Sequence, residues 1–192
     1  MSKKAIIIDW LFFLKTTTPS RFFNALKIFV SYHLSKRLKK NFNKGFPIAI
    51  SIEPTTSCNL KCPECPSGLR SFSRPIGMLA PELNQSIIDQ LSDKLTYITY
   101  YFQGEPYLNK DFLSMVGYAS SRNIYTTTSS NAHYLDDSNS QKTIESGLNR
   151  LIISIDGANQ GSYEKYRIGG NLSKVIEGTK NIVQWKKKLK SK

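Results

Sequence analysis

With 192 residues, the chain can bury one core of ordinary size but not two large ones. Its formal net charge of +13 is unevenly distributed: residues 1–45 hold ten Lys or Arg against one acid, Asp9, and the rest holds seventeen against thirteen. The basic residues form no recognisable nucleic-acid-binding pattern, so no specific nucleic-acid partner is predicted.

The first 45 residues are predicted to form a basic, helical arm, and residues 46–192 a single core domain. The apolar run between Ile6 and Leu14 is interrupted by Asp9 and is shorter than the ~20 apolar residues of a membrane-spanning helix. No small-residue cleavage site follows it, so a signal peptide is not indicated. These features favour a reducing, cytoplasmic location.

A helix is predicted in the arm after Pro19, because apolar residues recur at helical intervals from Phe22 to Leu38. Its last part is rich in basic residues: Lys36, Arg37, Lys39 and Lys40. A basic amphipathic helix can lie on an anionic membrane or contact an acidic partner. It can also pack on its own domain with its basic side in solvent. This second arrangement is favoured, because apolar stripes usually belong to a core.

From Phe46 onward, strand-like and helix-like segments alternate, which is typical of an α/β fold. Strands are predicted at 47–53, 95–102, 123–129 and 150–155. Helices are predicted at 81–91, from Asn109 as N-cap, at 137–146 before Gly147, and from Asn171 as N-cap. The sequence therefore predicts four βα units.

All three cysteines of the chain follow the first predicted strand, as Cys58, Cys62 and Cys65. The C-x3-C-x2-C spacing lets one loop turn three thiolates toward a common centre. Three thiolates on a four-iron cluster leave one iron open to a small molecule. This spacing therefore indicates an iron–sulfur site with chemistry at the open iron.

Three other interpretations of the cysteines are less favoured. A disulfide framework needs even pairing and a secretory setting. Structural zinc needs four ligands, and the two histidines of the chain, His33 and His133, are distant in sequence. Buried structural thiols suit a core segment, whereas Pro63 and Pro66 indicate an irregular loop.

The cysteine loop, together with the segment 51–57 that leads into it, resembles the signature of the radical S-adenosylmethionine (radical SAM) superfamily. The resemblance implies a partial (β/α)6 barrel with a [4Fe–4S] cluster on Cys58, Cys62 and Cys65. It implies that the open iron binds the amino and carboxylate groups of S-adenosylmethionine. An electron from a donor such as flavodoxin or ferredoxin would then yield methionine and a 5'-deoxyadenosyl radical, which abstracts hydrogen from an unidentified substrate.

Polar residues also follow the other predicted strands, where ligands of parallel α/β sheets bind. Gln103-Gly104-Glu105-Pro106 resembles the family's Gly-Gly-Glu segment, which faces the ammonium of S-adenosylmethionine. Because Gln103 replaces the first glycine, only Gly104 and Glu105 are candidates. Without the resemblance, the segment would be interpreted as a surface turn.

The remaining candidates also come from the resemblance. Ser130 and Asn131 match polar residues near the ribose, or they cap a turn. Ser154 and Asp156 are similar to the family's Ser-x-Asp-Gly segment. Arg167 matches an arginine that pairs with the methionine carboxylate, although an arginine taken alone is usually a solvated charge.

The sequence departs from the family at two points. Glu64 stands where an aromatic residue is usual, and Cys-Pro-Glu-Cys resembles SPASM-type members, which carry a later auxiliary-cluster region. No cysteine follows Cys65, and four βα units are predicted where the family has six, so the C-terminal part is expected to be missing. The prediction is a radical SAM oxidoreductase. The alternative is a non-catalytic, truncated iron–sulfur module, membrane-associated through its basic arm.

Overall fold

The computed structural model describes residues 3–191, so Met1 and Ser2 of the predicted arm and Lys192 of the predicted core lie outside it. The strands are β1 (Ala49–Ser51), β2 (Tyr97–Thr99), β3 (Tyr125–Ser130) and β4 (Arg150–Ile153). The helices are α1 (Lys3–Lys15), α2 (Pro19–Leu38), α3 (Pro66–Leu69), α4 (Pro81–Leu91), α5 (Phe112–Ser121), α6 (Asp137–Glu145), α7 (Gln160–Tyr166) and α8 (Leu172–Lys188), with a 3-10 turn at Pro106–Leu108.

The four strands form one parallel sheet in the order β1-β2-β3-β4. A helix returns the chain between successive strands, and all four strands therefore end at the same edge of the sheet. The predicted α/β fold, with four βα units after a helical arm, is confirmed. The division into an arm at 1–45 and a core at 46–192 stays a prediction.

The strands are mostly shorter than predicted. The predictions followed the apolar runs, and residues of these runs are buried beyond the part that pairs in the sheet. Leu95 and Tyr100 lie outside β2 but are fully buried. Tyr100 still donates its N–H to the Thr127 carbonyl at 2.7 Å, after which the chain turns into a loop. An apolar run therefore marks what the core covers, and only part of that run stays in the sheet.

The helix predicted to start near Asn109 is present as α5, but its N-cap is Asp111 and it begins at Phe112, so Asn109 as N-cap was wrong. Asn109 ends the 3-10 turn, and its side chain accepts the N–H of Asp111 at 2.9 Å. The same side chain donates to the carbonyls of Pro54 at 2.8 Å and Leu79 at 3.0 Å. Asn109 is thus a buried link to the cysteine loop. The short helix α7 was not predicted at all.

The core consists of two apolar clusters. The larger lies between β1, β2, α4 and α5, and contains Ile88, Leu95, Ile98, Tyr100, Phe112, Met115 and Val116. The smaller lies under α7 and α8, and contains Ala132, Leu135, Tyr163, Leu172 and Val175. Together they fix the strands whose ends carry the candidate residues.

Helix α2 packs on the domain, as favoured from the sequence, but it does so through polar residues. Arg21 is 2% exposed and donates to the backbone carbonyls of Ser92 and Arg122, among others. Asn24 exchanges two hydrogen bonds of 2.9 Å with the backbone of Phe46. The apolar stripe of α2 lies in solvent, so the expectation that it belongs to the core was wrong. Between residues 3 and 191, no helix has the length and apolar character needed to cross a membrane.

Candidate functional site

A cleft of about 150 Å³ opens where the strands end, and it brings the candidate residues together. Nine of the ten residues predicted from the sequence line it: Cys58, Cys62, Cys65, Gly104, Glu105, Ser130, Asn131, Ser154 and Arg167. The tenth, Asp156, forms an ion pair with Arg167. Their roles stay predictions, but residues from all four strand ends share one cavity.

The cysteines lie on a tightly turned loop between β1 and α3. Cys62 is 4% exposed, whereas Cys58 and Cys65 are half-buried. Cys65 donates its N–H to the Cys62 carbonyl at 3.2 Å, and Lys61 donates to the Ile168 carbonyl at 3.0 Å. The loop is therefore held both by its own backbone and by the segment after α7.

Gly68 in α3 packs directly against this loop. A Cβ at Gly68 would lie 2.4 Å from the Cys62 carbonyl oxygen and 2.5 Å from the Cys62 nitrogen, so any larger residue would displace the loop. The sequence showed no sign of this requirement, because the contact depends on how α3 folds back over Cys62.

Three cysteine thiols are a donor set that an iron–sulfur cluster takes. In the described part of the chain, no three His, Cys, Asp or Glu side chains stand close enough to hold one metal ion. A four-iron cluster presents its irons at separate corners, so its thiolates need not meet at one point. Burial raises the pKa of the Cys58 thiol, with Glu105 adding to the effect. Binding a cationic centre would compensate for ionising this thiol.

The segment Gln103–Glu105 lies across the cysteine loop. Gly104 has φ +80°, and a Cβ there would lie 2.2 Å from the Thr55 carbonyl oxygen. Glu105 donates its N–H to the Ser57 carbonyl at 2.7 Å, and Gly104 donates to the Ser67 hydroxyl at 2.9 Å. Glycine at 104 is thus required both by its left-handed backbone and by the close approach.

Glu105 is a carboxylate buried in the floor of the cleft, 2% exposed. One oxygen accepts the Ser130 hydroxyl at 2.8 Å, and the other accepts the Asn131 N–H at 2.8 Å. Burial raises the pKa of Glu105 despite these hydrogen bonds. A cation brought beside it would favour its ionised form.

Ser130 and Asn131 hold neighbouring groups in place. Besides bonding Glu105, the Ser130 hydroxyl accepts the N–H of Ala132 at 2.9 Å. The Asn131 side chain donates to the Asn59 side-chain oxygen at 2.8 Å, which ties the end of β3 to the cysteine loop. In this arrangement both residues position Glu105 and the loop.

Arg167 reaches the cysteines from the end of α7. Its Nε donates to Asp156, and its Nη1 lies 3.7 Å from the Cys62 sulfur. Its side chain is 20% exposed, so it is not the freely solvated charge that a lone arginine suggests. Ser154 lies beside Ser129, with the two hydroxyl oxygens 3.3 Å apart.

The clearest residue missed from the sequence is Gln103, set aside because the family has glycine there. Its Oε1 accepts from the Cys65 thiol at 3.3 Å and from the Ser67 hydroxyl at 3.2 Å. Tyr101, Phe102 and Ser129 also line the cleft and were not singled out. Their place directly at the ends of β2 and β3 was the signal that could have found them.

The sequence profile of the radical SAM superfamily matches residues 52–186, a span that contains every candidate residue. The match covers most of the 192 residues, and the chain therefore belongs to the radical SAM superfamily. The resemblance seen in the cysteine loop is confirmed. Members of this family bind a [4Fe–4S] cluster and S-adenosylmethionine.

Individual relatives are distant and longer than this chain. The mycofactocin maturase MftC of Mycobacterium ulcerans is 28% identical over 148 residues, which are 76% of this chain and 40% of the relative. The AdoMet-dependent heme synthase of Nitratidesulfovibrio vulgaris is 28% identical over 118 residues, which are 62% of this chain and 32% of the relative. The chain thus spans less than half the length of these curated relatives.

A solved structure, native anSMEcpe with bound AdoMet, shares the fold. Its TM-score is 0.62 at 22% identity, and the likeness covers 73% of this chain and 42% of that one. This likeness bears on the fold alone, and it agrees with the parallel four-stranded sheet.

Proposed function

We propose that the chain holds a [4Fe–4S] cluster on Cys58, Cys62 and Cys65, binds S-adenosylmethionine beside it, and cleaves this cofactor reductively. The observation that carries the proposal is the shared cleft, where the three thiols, the buried Glu105 and Arg167 meet. When bound, the cluster would supply the electron that splits the sulfonium into methionine and a 5'-deoxyadenosyl radical, which takes hydrogen from a substrate.

Glu105 and Arg167 are the charged groups suited to the two ends of an amino acid. Glu105 would accept the ammonium, because it is the buried acid in this cleft and Ser130 and Asn131 hold it in place. Arg167 would bind the carboxylate through the guanidinium donors that Asp156 does not use. Asp156 thus orients Arg167, and this assigns it a positioning role.

The hydroxyl side of the cofactor would face the ends of β3 and β4. Ser130 and Asn131 already bond Glu105 and Asn59, so near the ribose they would hold these neighbours in position. Ser154, paired with Ser129, offers the hydroxyl that could bond the ribose. Gly104 contributes by letting the backbone approach the cysteine loop.

Gln103 is proposed to contact the cluster-bound form of Cys65. A thiolate has no proton to donate, so the amide would turn its NH2 group toward the sulfur and donate instead. Such a hydrogen bond to a ligand sulfur tunes the reduction potential of a cluster.

The first test is cluster assembly. Chain reconstituted without oxygen should bind about four irons and four sulfides, and Cys58→Ala, Cys62→Ala and Cys65→Ala should each lose most of them, because each removes a ligand. Glu64→Ala, an exposed change within the same loop, is the matched control and should keep its iron. Full iron in all three cysteine variants would refute the proposal.

The cellular setting follows from the same chemistry. Exposed thiolates and iron–sulfur clusters are sensitive to oxidation, which favours a reducing, cytoplasmic compartment. A one-electron donor such as flavodoxin or ferredoxin would be the redox partner. The alternative of a non-catalytic iron–sulfur module would keep the cluster but produce no 5'-deoxyadenosine.

A further inference from the structure

Helix α2 buries mostly polar residues and exposes an apolar face, which is the reverse of an ordinary surface helix. Its domain-facing side is mostly polar: Arg21, Asn24 and Ser31 are buried there, and Ile28 is half-buried against Gly45. Its outward side carries apolar residues that are each 45–61% exposed: Phe22, Phe23, Leu26, Phe29 and Val30. Their spacing of i, i+1, i+4, i+7 and i+8 places them on one face of the helix.

Helix α1 also leaves an apolar stripe in solvent, although its domain-facing side is apolar too. Phe13 packs inward, with its ring centroid 5.9 Å from that of Tyr125. The outward face carries an apolar stripe at i, i+3, i+4 and i+7, each residue 53–60% exposed: Ile7, Trp10, Leu11 and Leu14. Two successive helices thus hold the domain by one side and leave an apolar stripe in solvent. Exposed apolar surface of this extent marks an interaction site.

The positive charge of these two helices indicates a partner with negative charge. The exposed basic residues of the two helices and of the segment after α2 are Lys15, Lys27, Lys36, Arg37, Lys39, Lys40 and Lys44. The one acid among residues 1–45, Asp9, is half-buried, accepts from the Tyr125 hydroxyl and lies 3.7 Å from Arg150. The outward surface is therefore apolar and positive, which suits an apolar layer bordered by negative charge.

We propose that α1 and α2 bind the surface of an anionic phospholipid membrane, with their apolar stripes in the interface and their lysines among the headgroups. Trp and Phe are residues that favour the headgroup level, and Lys and Arg are attracted by anionic lipid. A second copy of the chain fits less well, because two arms of net charge +9 would repel each other. The proposal is independent of the cofactor chemistry.

The test is co-sedimentation of the full chain with vesicles of phosphatidylcholine alone or mixed with phosphatidylglycerol. The chain should bind the mixed vesicles and release with added salt. The triple variant Phe22→Gln, Leu26→Gln, Phe29→Gln should lower the partition coefficient by about tenfold or more. The variant Ile176→Gln, Val183→Gln, on the exposed side of α8, is the matched control and should bind like the wild type.

A second pair of variants tests the charges. Lys36→Gln, Arg37→Gln, Lys40→Gln should also lower binding by about tenfold or more. The same loss of charge in the tail, Lys186→Gln, Lys187→Gln, Lys190→Gln, should lower it far less. Equal loss from arm and tail variants would show simple attraction of a basic protein and overturn the proposal.

Two other results would also overturn it. One is equal binding of wild type and the Phe22 triple variant to mixed vesicles. The other is a wild-type dimer in sedimentation velocity that this variant dissociates, because the stripe would then be a subunit interface. Iron content, measured on the same samples, reports separately on the cluster site.

Discussion

At the scale of a single residue, Glu105 connects the end of β3 to the segment before the cysteines. Its carboxylate accepts from the end of β3, while its backbone N–H holds the segment before the cysteines. Burial raises its pKa, so Glu105 without cofactor keeps its proton to a higher pH than a solvent-exposed glutamate does. An ammonium bound beside it would lower this pKa, since opposite charges stabilise ionisation.

Binding of S-adenosylmethionine is therefore expected to release a proton from Glu105. The sign follows from the raised pKa: between the ordinary value of 4.5 and the raised one, the free protein holds a proton that the complex does not. Affinity should rise with pH across this window. Glu105→Gln should remove this dependence and weaken binding by about 1.5–3 kcal/mol, because it takes away a charged acceptor.

Calorimetry of the cluster-loaded chain, in buffers of different ionisation enthalpy, measures the released protons. Glu64→Gln, an exposed acid on the cysteine loop, should behave like the wild type. If Glu105→Gln releases as many protons as the wild type, Glu105 is not the group that faces the ammonium.

His133 connects two elements, the loop after β3 and the start of α8. Its Nε2 accepts the N–H of Asn171, the N-cap of α8, at 2.8 Å. Its Nδ1 lies 3.1 Å from the Asn131 carbonyl oxygen, which fits a neutral ring with its proton on Nδ1. Burial lowers the pKa of His133, and the positive charges of Lys174 and Arg167 act in the same direction.

The hydrogen bond between His133 and Asn171 should stabilise the folded chain less as the pH falls below about 6.5. Near that pH the unfolded chain binds a proton on His133, whereas the folded chain does so only at lower pH. The folded state resists protonation, because a proton on Nε2 would oppose the Asn171 N–H. His133→Ala should lose about 1 kcal/mol at pH 7.5 and less at pH 5.5, the scale of one hydrogen bond.

The free energies of unfolding of the wild type and His133→Ala, measured with urea at both pH values, check this prediction. His33→Ala, at an exposed histidine on α2, is the control for removing an imidazole outside this link. A constant difference between wild type and His133→Ala would mean that the link does not titrate.

The whole molecule presents its cleft at one end of an open sheet. Within residues 3–191 no strand pairs with the far side of β4, and Ile152 and Ile155 nearby are 37% and 46% exposed. A cofactor in the cleft would be screened from water on the side of β1 to β3 and less so beyond β4. Reductive cleavage depends on a water-poor pocket.

The 192-residue chain is therefore expected to cleave S-adenosylmethionine slowly. With dithionite as reductant, liquid chromatography should detect 5'-deoxyadenosine at a low rate from the cluster-loaded chain and none from Cys58→Ala. Rapid turnover by the chain alone would show that a flank beyond β4 is dispensable. Absence of 5'-deoxyadenosine, with the cluster intact, would favour the non-catalytic module.

The amino-acid sequence alone determined the local features of this protein. The cysteine spacing identified the family, which the match over residues 52–186 confirms. Asn171 as the N-cap of α8 and Gly147 after α6, with φ +75°, were predicted correctly. Such features depend on a few neighbouring residues, so their spacing in sequence is enough to reveal them.

Only the tertiary structure decided which side chains act on one another. Gln103 reaches Cys65 across 38 positions, and the Arg167 guanidinium approaches Cys62 across 105. The polar side of α2 became its buried side because backbone carbonyls at the ends of α4 and α5 bind Arg21. Periodicity shows that a helix has two faces, but the partner surface decides which face is buried, and that surface is assembled from distant segments.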